Sequence, residues 1–303
     1  MNRHEANQLL AERSALERMI AETPADEVID LRNLQARLEV VNRELQAQPL
    51  DTREPVKARL TFRGRPVVGS HGIFAEFGVT ATKAFTDAIA LLAASFETEL
   101  SATGPIPNRT QNQLLITSTA VGSFGFELEE HREDLLPPKD ESALAQALNK
   151  VQGLLHGATQ GSDDELTDAV SGQDPRAIAA LRDFLKKLAD NEAVCAVTVG
   201  EKVFSFRDVG EVHRCLTRLG QENLHEEPKK FRGAFLGVLP KRRTFEFRVA
   251  ETEDVIAGKV GPSITDPSLI NRHLEQPVDV FLVETRVGQG RPRYVLNELP
   301  NWP

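Results

Sequence analysis

The chain has 303 residues, of which 40% are hydrophobic and 27% charged, and its formal net charge is −9. This length and composition are typical of a globular protein with two or three domains and substantial cores. The overall acidity argues mildly against non-specific nucleic-acid binding, because that affinity comes largely from Lys and Arg that neutralise phosphates.

Cysteine content and the N-terminal sequence predict the compartment. The two cysteines, Cys195 and Cys215, provide no disulfide framework, as expected in a reducing environment. The first residues are charged throughout, unlike a signal peptide, and the longest apolar stretch, at 88–96, is too short to span a bilayer. We therefore predict a cytoplasmic protein without a membrane span.

Residues 1–50 are predicted to form an antiparallel helical hairpin. Thr23 is the expected cap of its second helix, Pro24 the first helical residue and Asp26 the capping-box acid. The second helix carries apolar residues at the a/d spacing of a coiled coil, here called the leucine seam: Leu31, Leu34, Leu38, Val41 and Leu45. Either the first helix alone covers this seam or it recruits a second chain, so we interpret it as a partner-binding candidate.

Residues 56–224 are predicted to form a central α/β domain. Val56, Ala58, Leu60 and Phe62 alternate with basic residues and predict a half-buried strand. A helix is expected to begin near Thr80 or Thr82. A hairpin over 114–130 should contribute an apolar sheet face to the core, formed by two sets of residues: Leu114, Ile116 and Ser118, then Phe124, Phe126 and Leu128. Helices and two short strands follow from residue 141.

Residues 225–303 read as strands in the order β-β-β-α-β-β, which predicts a small OB-like or SH3-like barrel. Phe245 and Phe247 alternate with charged residues and are expected in its core, not on a base-stacking surface. The second of two basic clusters, here called the basic turn, is a further partner-binding candidate: Lys241, Arg242 and Arg243. The first cluster lies about 30 Å away along one strand, which weakens the case for a compact phosphate pocket.

Candidate catalytic and metal-binding residues are few. Ser70 and His71 stand between glycines, but adjacent residues rarely face each other as nucleophile and base, and the G-x-S-x-G pattern is absent. The acidic run at 163–168 fits the first turns of a helix better than a cation site, and the histidines are scattered. We predict no catalytic residue, no metal and no cofactor, with a hydrolase at Ser70 and His71 as an alternative.

Two segments carry a family resemblance: "LTFRGRPVVGSHGIFAEFG" at 60–78 and "PNRTQNQLLITSTAVGSFGFELEE" at 107–130. They resemble a family of uncharacterised bacterial proteins with an N-terminal helical hairpin and a C-terminal small barrel. The resemblance implies a bacterial cytosolic protein from a mobile-element or phage-defence (antiviral) gene cluster, and it transfers no site residues.

The sequence therefore predicts an α+β multidomain protein with domains at 1–50, 56–224 and 225–303. The expected function is a non-enzymatic adaptor or sensor subunit that binds a protein partner or a second copy of itself. A nucleic-acid-binding accessory protein is the alternative.

Overall fold

The computed structural model describes residues 3–24, 27–47, 55–98, 100–120, 124–131 and 141–302. The chain divides into two compact units. The first comprises Met1–Pro55 with His131–Glu141, and the second comprises Val56–Glu130 with Ser142–Pro303. The second unit holds both the predicted central region and the predicted barrel, and the boundary between residues 224 and 225 stays a prediction.

The first unit contains a pair of helices, α1 (Arg3–Glu22) and α2 (Val28–Ala47). Arg37, midway along α2, donates from Nε to Oε1 of Glu12, midway along α1, over 2.7 Å. A contact between the two helix middles fits the predicted antiparallel hairpin. The Thr23 hydroxyl donates to the carbonyl of Met19, so it closes α1 instead of capping α2, and Asp26 lies outside the described residues.

The second unit begins with an antiparallel sheet of strand order β4-β5-β1-β6-β7. Its strands are β1 (Lys57–Gly64), β4 (Leu114–Ala120), β5 (Phe124–Glu130), β6 (Ala193–Val199) and β7 (Lys202–Ser205). A small hairpin, β2 (Val67–Val68) and β3 (Gly72–Ile73), follows β1. In β1, Ala58, Leu60 and Phe62 are buried and alternate with more exposed neighbours, which confirms the predicted pattern. One face of the sheet is thereby apolar.

Helices pack with this apolar face into one hydrophobic core. They are α3 (Ala75–Ser95), α4 (Ala143–Gln160), α5 (Asp163–Val170), α6 (Pro175–Asp190) and α7 (Val209–Arg218). Four of them begin at a side chain that accepts a backbone N–H, as good N-caps do: Ser142, Ser162, Asp174 and Asp208. These local signals explain why α4 to α7 begin where they do.

Helix α3 begins at Ala75, five residues or more before the predicted start near Thr80 or Thr82. The prediction missed the first turn because Gly78 and the β-branched residues after it have low helix propensity. A tertiary contact overrides that preference, since the ring of Phe77 packs edge-on against Phe62 with 5.3 Å between centroids. Within the described residues α3 alone is long and apolar enough to cross a membrane, but 72% of its apolar window is buried, so it serves as a core helix.

Strand β4 contributes less to the core than predicted. Ile116 is 58% exposed and Ser118 is also exposed, whereas Leu128 on β5 is fully buried. The register slips between Ile116 and Ser118, and β4 is the edge strand of the sheet. The expected apolar face is therefore incomplete at the sheet edge, where Ile116 stays exposed.

The remaining strands form a closed barrel of order β10-β12-β11-β8-β9. They are β8 (Leu224–Leu239), β9 (Thr244–Val249), β10 (Val255–Val260), β11 (Val278–Val287) and β12 (Arg293–Leu296). A 3-10 helix (Pro267–His273) lies between β10 and β11, and β10 and β12 are parallel. Phe235, Phe245 and Phe247 fill the core at 0 to 2% exposure, which confirms the predicted burial of the last two.

The long strand β8 closes the barrel by changing partners. Its residues up to Gly233 pair with β11, and those from Gly233 onward pair with β9. A Cβ at Gly233 would lie 1.9 Å from the carbonyl oxygen of Arg248, so only glycine permits this close crossing. Pro228 is tolerated because that half of β8 has a ladder on one side only.

Candidate ligand groove on the barrel

A groove of about 710 Å³ crosses four strands of the barrel. Its floor follows one hydrogen-bonded row: Val238 pairs with Phe245, Phe245 with Gly258, and Gly258 with Tyr294. This volume lies within the range of ligand pockets, about 300–1,000 Å³. We refer to it below as the barrel groove.

Residues that alternate with the barrel core provide the accessible surface of the groove. Leu239, Glu246 and Ala257 are exposed, with Leu239 at 57%. The side-chain amide of Asn271, in the 3-10 helix, accepts a hydrogen bond from the N–H of Val238 and donates one to its carbonyl, and so fixes the neighbouring end of β8. The surface is thus part apolar and part charged, and its one aromatic ring with partial exposure, Tyr294, packs edge-on against Phe231.

Helix α5 forms one side of the groove through its last turn. The Nζ atom of Lys259 donates to the backbone carbonyls of Asp168 and Ser171, over 3.2 Å each. Carbonyls at a helix C-terminus carry partial negative charge, which explains the position of this ammonium group. Arg293 holds the Asp168 carboxylate with two donors, one of them Nη2 at 3.0 Å from Oδ2. The hydrogen bond from Arg293 is also the main reason why the pKa of Asp168 is lowered.

Cations and carboxylates are mixed in the groove: Asp168 and Glu246 line it together with Lys259 and Arg293, and Asp164 also acts electrostatically on Arg293. Burial lowers the pKa of Lys259, and the positive charge of Arg293 lowers it further, while the Asp168 carboxylate opposes both. Burial, together with the charge of Lys259, lowers the pKa of Lys150 on α4 to about 8. The hydroxyl of Ser171, a buried residue of the groove lining, has no hydrogen-bond partner in the described part of the chain.

The acidic run of α5 attaches the barrel to the helical layer. Asp163 accepts hydrogen bonds from the guanidinium of Arg218 and from the backbone N–H of Gln289, and Asp164 accepts from the N–H of Arg291. The hydrogen bond from Arg218 is the main cause that lowers the pKa of Asp163. These carboxylates, considered above as a cation site, are therefore used by the β11–β12 loop and by α7.

The basic turn contains one partly buried anchor and two exposed cations. Arg243 donates to the carbonyls of Val260, Gly261 and Ile264, at 3.2 Å for Val260 and 2.7 Å for Ile264. Its backbone adopts φ of 51°, a left-handed conformation needed for the turn. Lys241 and Arg242 are exposed. The partner-binding role predicted for all three stays a prediction, and the contacts of Arg243 explain it as a structural residue.

Several other basic groups form ion pairs within the fold. Lys229 pairs with Glu284 at 2.8 Å and Lys230 with Asp279 at 2.7 Å. In the central sheet, Lys57 and Arg59 of β1 pair with Glu129 and Glu127 of β5, and Arg65, just after β1, pairs with Glu192. These paired cations are poor candidates for phosphate contacts.

The leucine seam is half-buried within the first unit. Val41 is fully buried, and the other members retain intermediate exposure: Leu31, Leu34, Leu38 and Leu45. Partial exposure is compatible with either alternative raised from the sequence, a seam covered by α1 or a seam that recruits a second chain. Its partner-binding role stays a prediction.

The remaining candidates offer no assembled chemistry. Ser70 and His71 are both exposed in the β2–β3 turn. Cys195 and Cys215 are buried free thiols; burial raises both pKa values, that of Cys215 to about 12. A search of the described residues finds no group of three or more His, Cys, Asp or Glu side chains placed to hold a metal ion.

Sequence reasoning missed the barrel groove because its parts are distant in the chain. Lys259 and Arg293 are 34 positions apart, and Asp168 precedes both by about ninety or more. The sequence held one indication of the groove: exposed and less exposed residues alternate along Val255–Val260, which places Ala257 and Lys259 on the same outer face of the strand. Only strand pairing shows that α5 and β12 flank that face.

The sequence matches no protein-family model, and comparison with curated proteins and with solved structures finds no significant match.

Proposed function

We propose that this protein is a non-enzymatic adaptor that binds an extended segment of a protein partner in the barrel groove. The observation that supports the proposal best is the groove itself, a concave surface of about 710 Å³ with mixed apolar and charged lining. Apolar surface contributes affinity, and a few charged groups at fixed positions provide specificity. Leu239 and Ala257 supply the apolar surface, and Lys259 and Arg293 supply the charged groups.

Peptide binding is favoured over catalysis by the chemistry of the described residues. The exposed pair Ser70 and His71 lies in a short turn, and the buried thiols have pKa values well above neutral, so neither provides an activated nucleophile. Replacing Ser70 with Ala checks the hydrolase alternative. We expect unchanged cellular function at unchanged thermal stability, and a severe loss of function would revive the alternative.

We further propose that the barrel is OB-like and not SH3-like. Its third and fifth strands, β10 and β12, are parallel neighbours, and its helical segment lies between the third and fourth strands. In OB barrels the surface of the second and third strands binds ligands. Here those strands are β9 and β10, which both line the barrel groove.

The adaptor proposal is tested by selecting ligands from a random peptide library and titrating the enriched peptides. The blocking variant is Ala257→Arg, which places a long side chain in the groove from an exposed position. The matched control is Val255→Arg, because Val255 is 54% exposed on the same face of the same strand but outside the groove lining. We expect Ala257→Arg to weaken binding at least about tenfold and Val255→Arg to leave it unchanged. A peptide that binds both variants equally would contradict the proposal.

Binding of single-stranded nucleic acid is the second candidate, favoured by the OB-like strand order. Two features of the groove oppose it. The aromatic residues of its lining, Phe245 and Tyr294, are buried and half-buried and form no exposed row on which bases stack, and the carboxylates of Glu246 and Asp168 repel phosphates. Titration of labelled DNA and RNA at two salt concentrations separates the candidates. Tight binding that weakens steeply with salt would favour nucleic acid.

A further inference from the structure

We propose that the α5 end of the barrel groove is an anion subsite that receives a carboxylate of an acidic partner segment. The inference rests on the proposed peptide-binding function and specifies the chemistry of the peptide. It is carried by the cations gathered at that end and by the third N–H donor of the Lys259 ammonium, for which the described residues show no acceptor.

Strand register places these cations together. Lys259 pairs with Thr244, the first residue after the basic turn, so the exposed Lys241 and Arg242 lie toward the same end of β9 and β10. Arg293 on β12 lies beside β10 and lines the same groove. A segment that crosses the strands at this end therefore passes cations from three separate parts of the chain.

Hydrogen-bond capacity remains for a ligand. The ammonium of Lys259 has three N–H donors, of which the carbonyls of Asp168 and Ser171 take two. The Asp168 carboxylate is bound by Arg293 and also attracts Lys259, while Asp164 adds a second negative charge near Arg293. A charge-assisted hydrogen bond from the third donor of Lys259 to a bound carboxylate is stronger than one between neutral groups, which favours an anionic ligand.

Mutual repulsion among the cations supports the same conclusion. The charge of Lys259 contributes to the lowered pKa of Lys150, and Arg293 contributes to that of Lys259. A bound carboxylate would raise both pKa values by favouring the charged ammonium forms. The buried hydroxyl of Ser171, which has no hydrogen-bond partner among the described residues, lies in the same lining.

A carboxylate on a peptide fits this end better than a phosphate of a nucleic-acid strand. The surface next to the cations includes the exposed Leu239 and Ala257, which suit aliphatic side chains and an extended backbone. The aromatic residues of the lining are the buried Phe245 and the half-buried Tyr294, whose ring packs edge-on against Phe231, so the lining offers no row of exposed rings on which successive bases stack. Glu246 would further disfavour a continuous row of phosphates.

The decisive comparison uses a library-selected peptide and its analogue in which every acidic side chain is replaced by the corresponding amide. We expect the parent protein to prefer the acidic peptide by about tenfold. Lys259→Met should abolish the preference while Lys259→Arg restores it, because the arginine keeps the charge. Lys186→Met is the control, since Lys186 is an exposed lysine of α6 outside the groove. Equal binding of the acidic and amide peptides to the parent would overturn the proposal.

Inorganic phosphate and sodium acetate serve as probes that do not depend on a peptide. If no library peptide binds, the proposed peptide-binding function fails. The anion subsite is still supported if either anion raises the melting temperature of the parent and of Lys186→Met but not that of Lys259→Met. No stabilisation by either anion, together with no acidic preference, overturns it. An oligonucleotide that binds more tightly than every peptide and depends on Lys259 overturns the assignment to a protein partner.

Discussion

Replacing Arg243 with Met should destabilise the barrel far more than the same change at the neighbouring Arg242. Methionine keeps a flexible apolar stem but loses the guanidinium donors to the carbonyls of Val260, Gly261 and Ile264. Hydrogen bonds from a charged donor contribute about 1.5–3 kcal/mol each, and partial exposure of this site lets water replace part of that. We therefore expect a loss of about 2–4 kcal/mol for Arg243→Met and less than about 0.5 kcal/mol for Arg242→Met.

Urea unfolding followed by tryptophan fluorescence measures this difference directly. Trp302 is the only tryptophan of the chain, and its ring stacks on His273 at 4.4 Å and lies 6.3 Å from the Phe235 ring. The signal thus reports on the barrel core. With a slope of about 3 kcal/mol per molar urea, a loss of 3 kcal/mol lowers the midpoint by about 1 M. Midpoints for the Arg243 and Arg242 variants that agree within 0.2 M, roughly 0.6 kcal/mol at that slope, would refute the assignment of Arg243 as a structural anchor.

Three further outcomes are expected. The double change Leu34→Glu with Leu38→Glu introduces charge into the leucine seam. Helix content, measured by circular dichroism, or self-association, measured by light scattering, should therefore fall. If neither value changes, the seam has no role in packing or association. Because the folded pKa of Asp168 lies below its ordinary value near 3.8, its ion pair stabilises the protein above that pH and is lost as the pH falls below it. Asp168→Asn should therefore flatten the decline in melting temperature as the pH is lowered below 3.8. Cys195 and Cys215 should react with a thiol reagent only after unfolding, and labelling of the native protein within minutes would contradict their burial.

The amino-acid sequence determined the local elements and their order. Alternation in β1, capping residues such as Ser162 and Asp174, and the strand order of the last eighty residues all depend on neighbours in the chain. Burial of Phe245 and Phe247 was predictable for the same reason, since a period of two assigns a strand residue to one face of the sheet.

Tertiary structure decided the features that depend on residues distant in sequence. The first turn of α3 exists because Phe77 packs on Phe62, and Ile116 is exposed because β4 lies at the sheet edge. Neither outcome follows from local propensity, which is weaker than packing. In each case the deciding neighbour is absent from the local sequence window.

The candidate site shows the same division. Residue types predicted that Lys241, Arg242 and Arg243 form a basic turn, but only the fold distinguishes Arg243, which holds three carbonyls, from its exposed neighbours. The groove itself required strand pairing to bring Lys259 beside Arg293, and it required α5 to present Asp168 to both. The charge and the hydrogen-bond donors of a side chain can be read from the sequence. The strength of the electrostatic interactions between side chains in the groove depends on their distances, which only long-range packing defines.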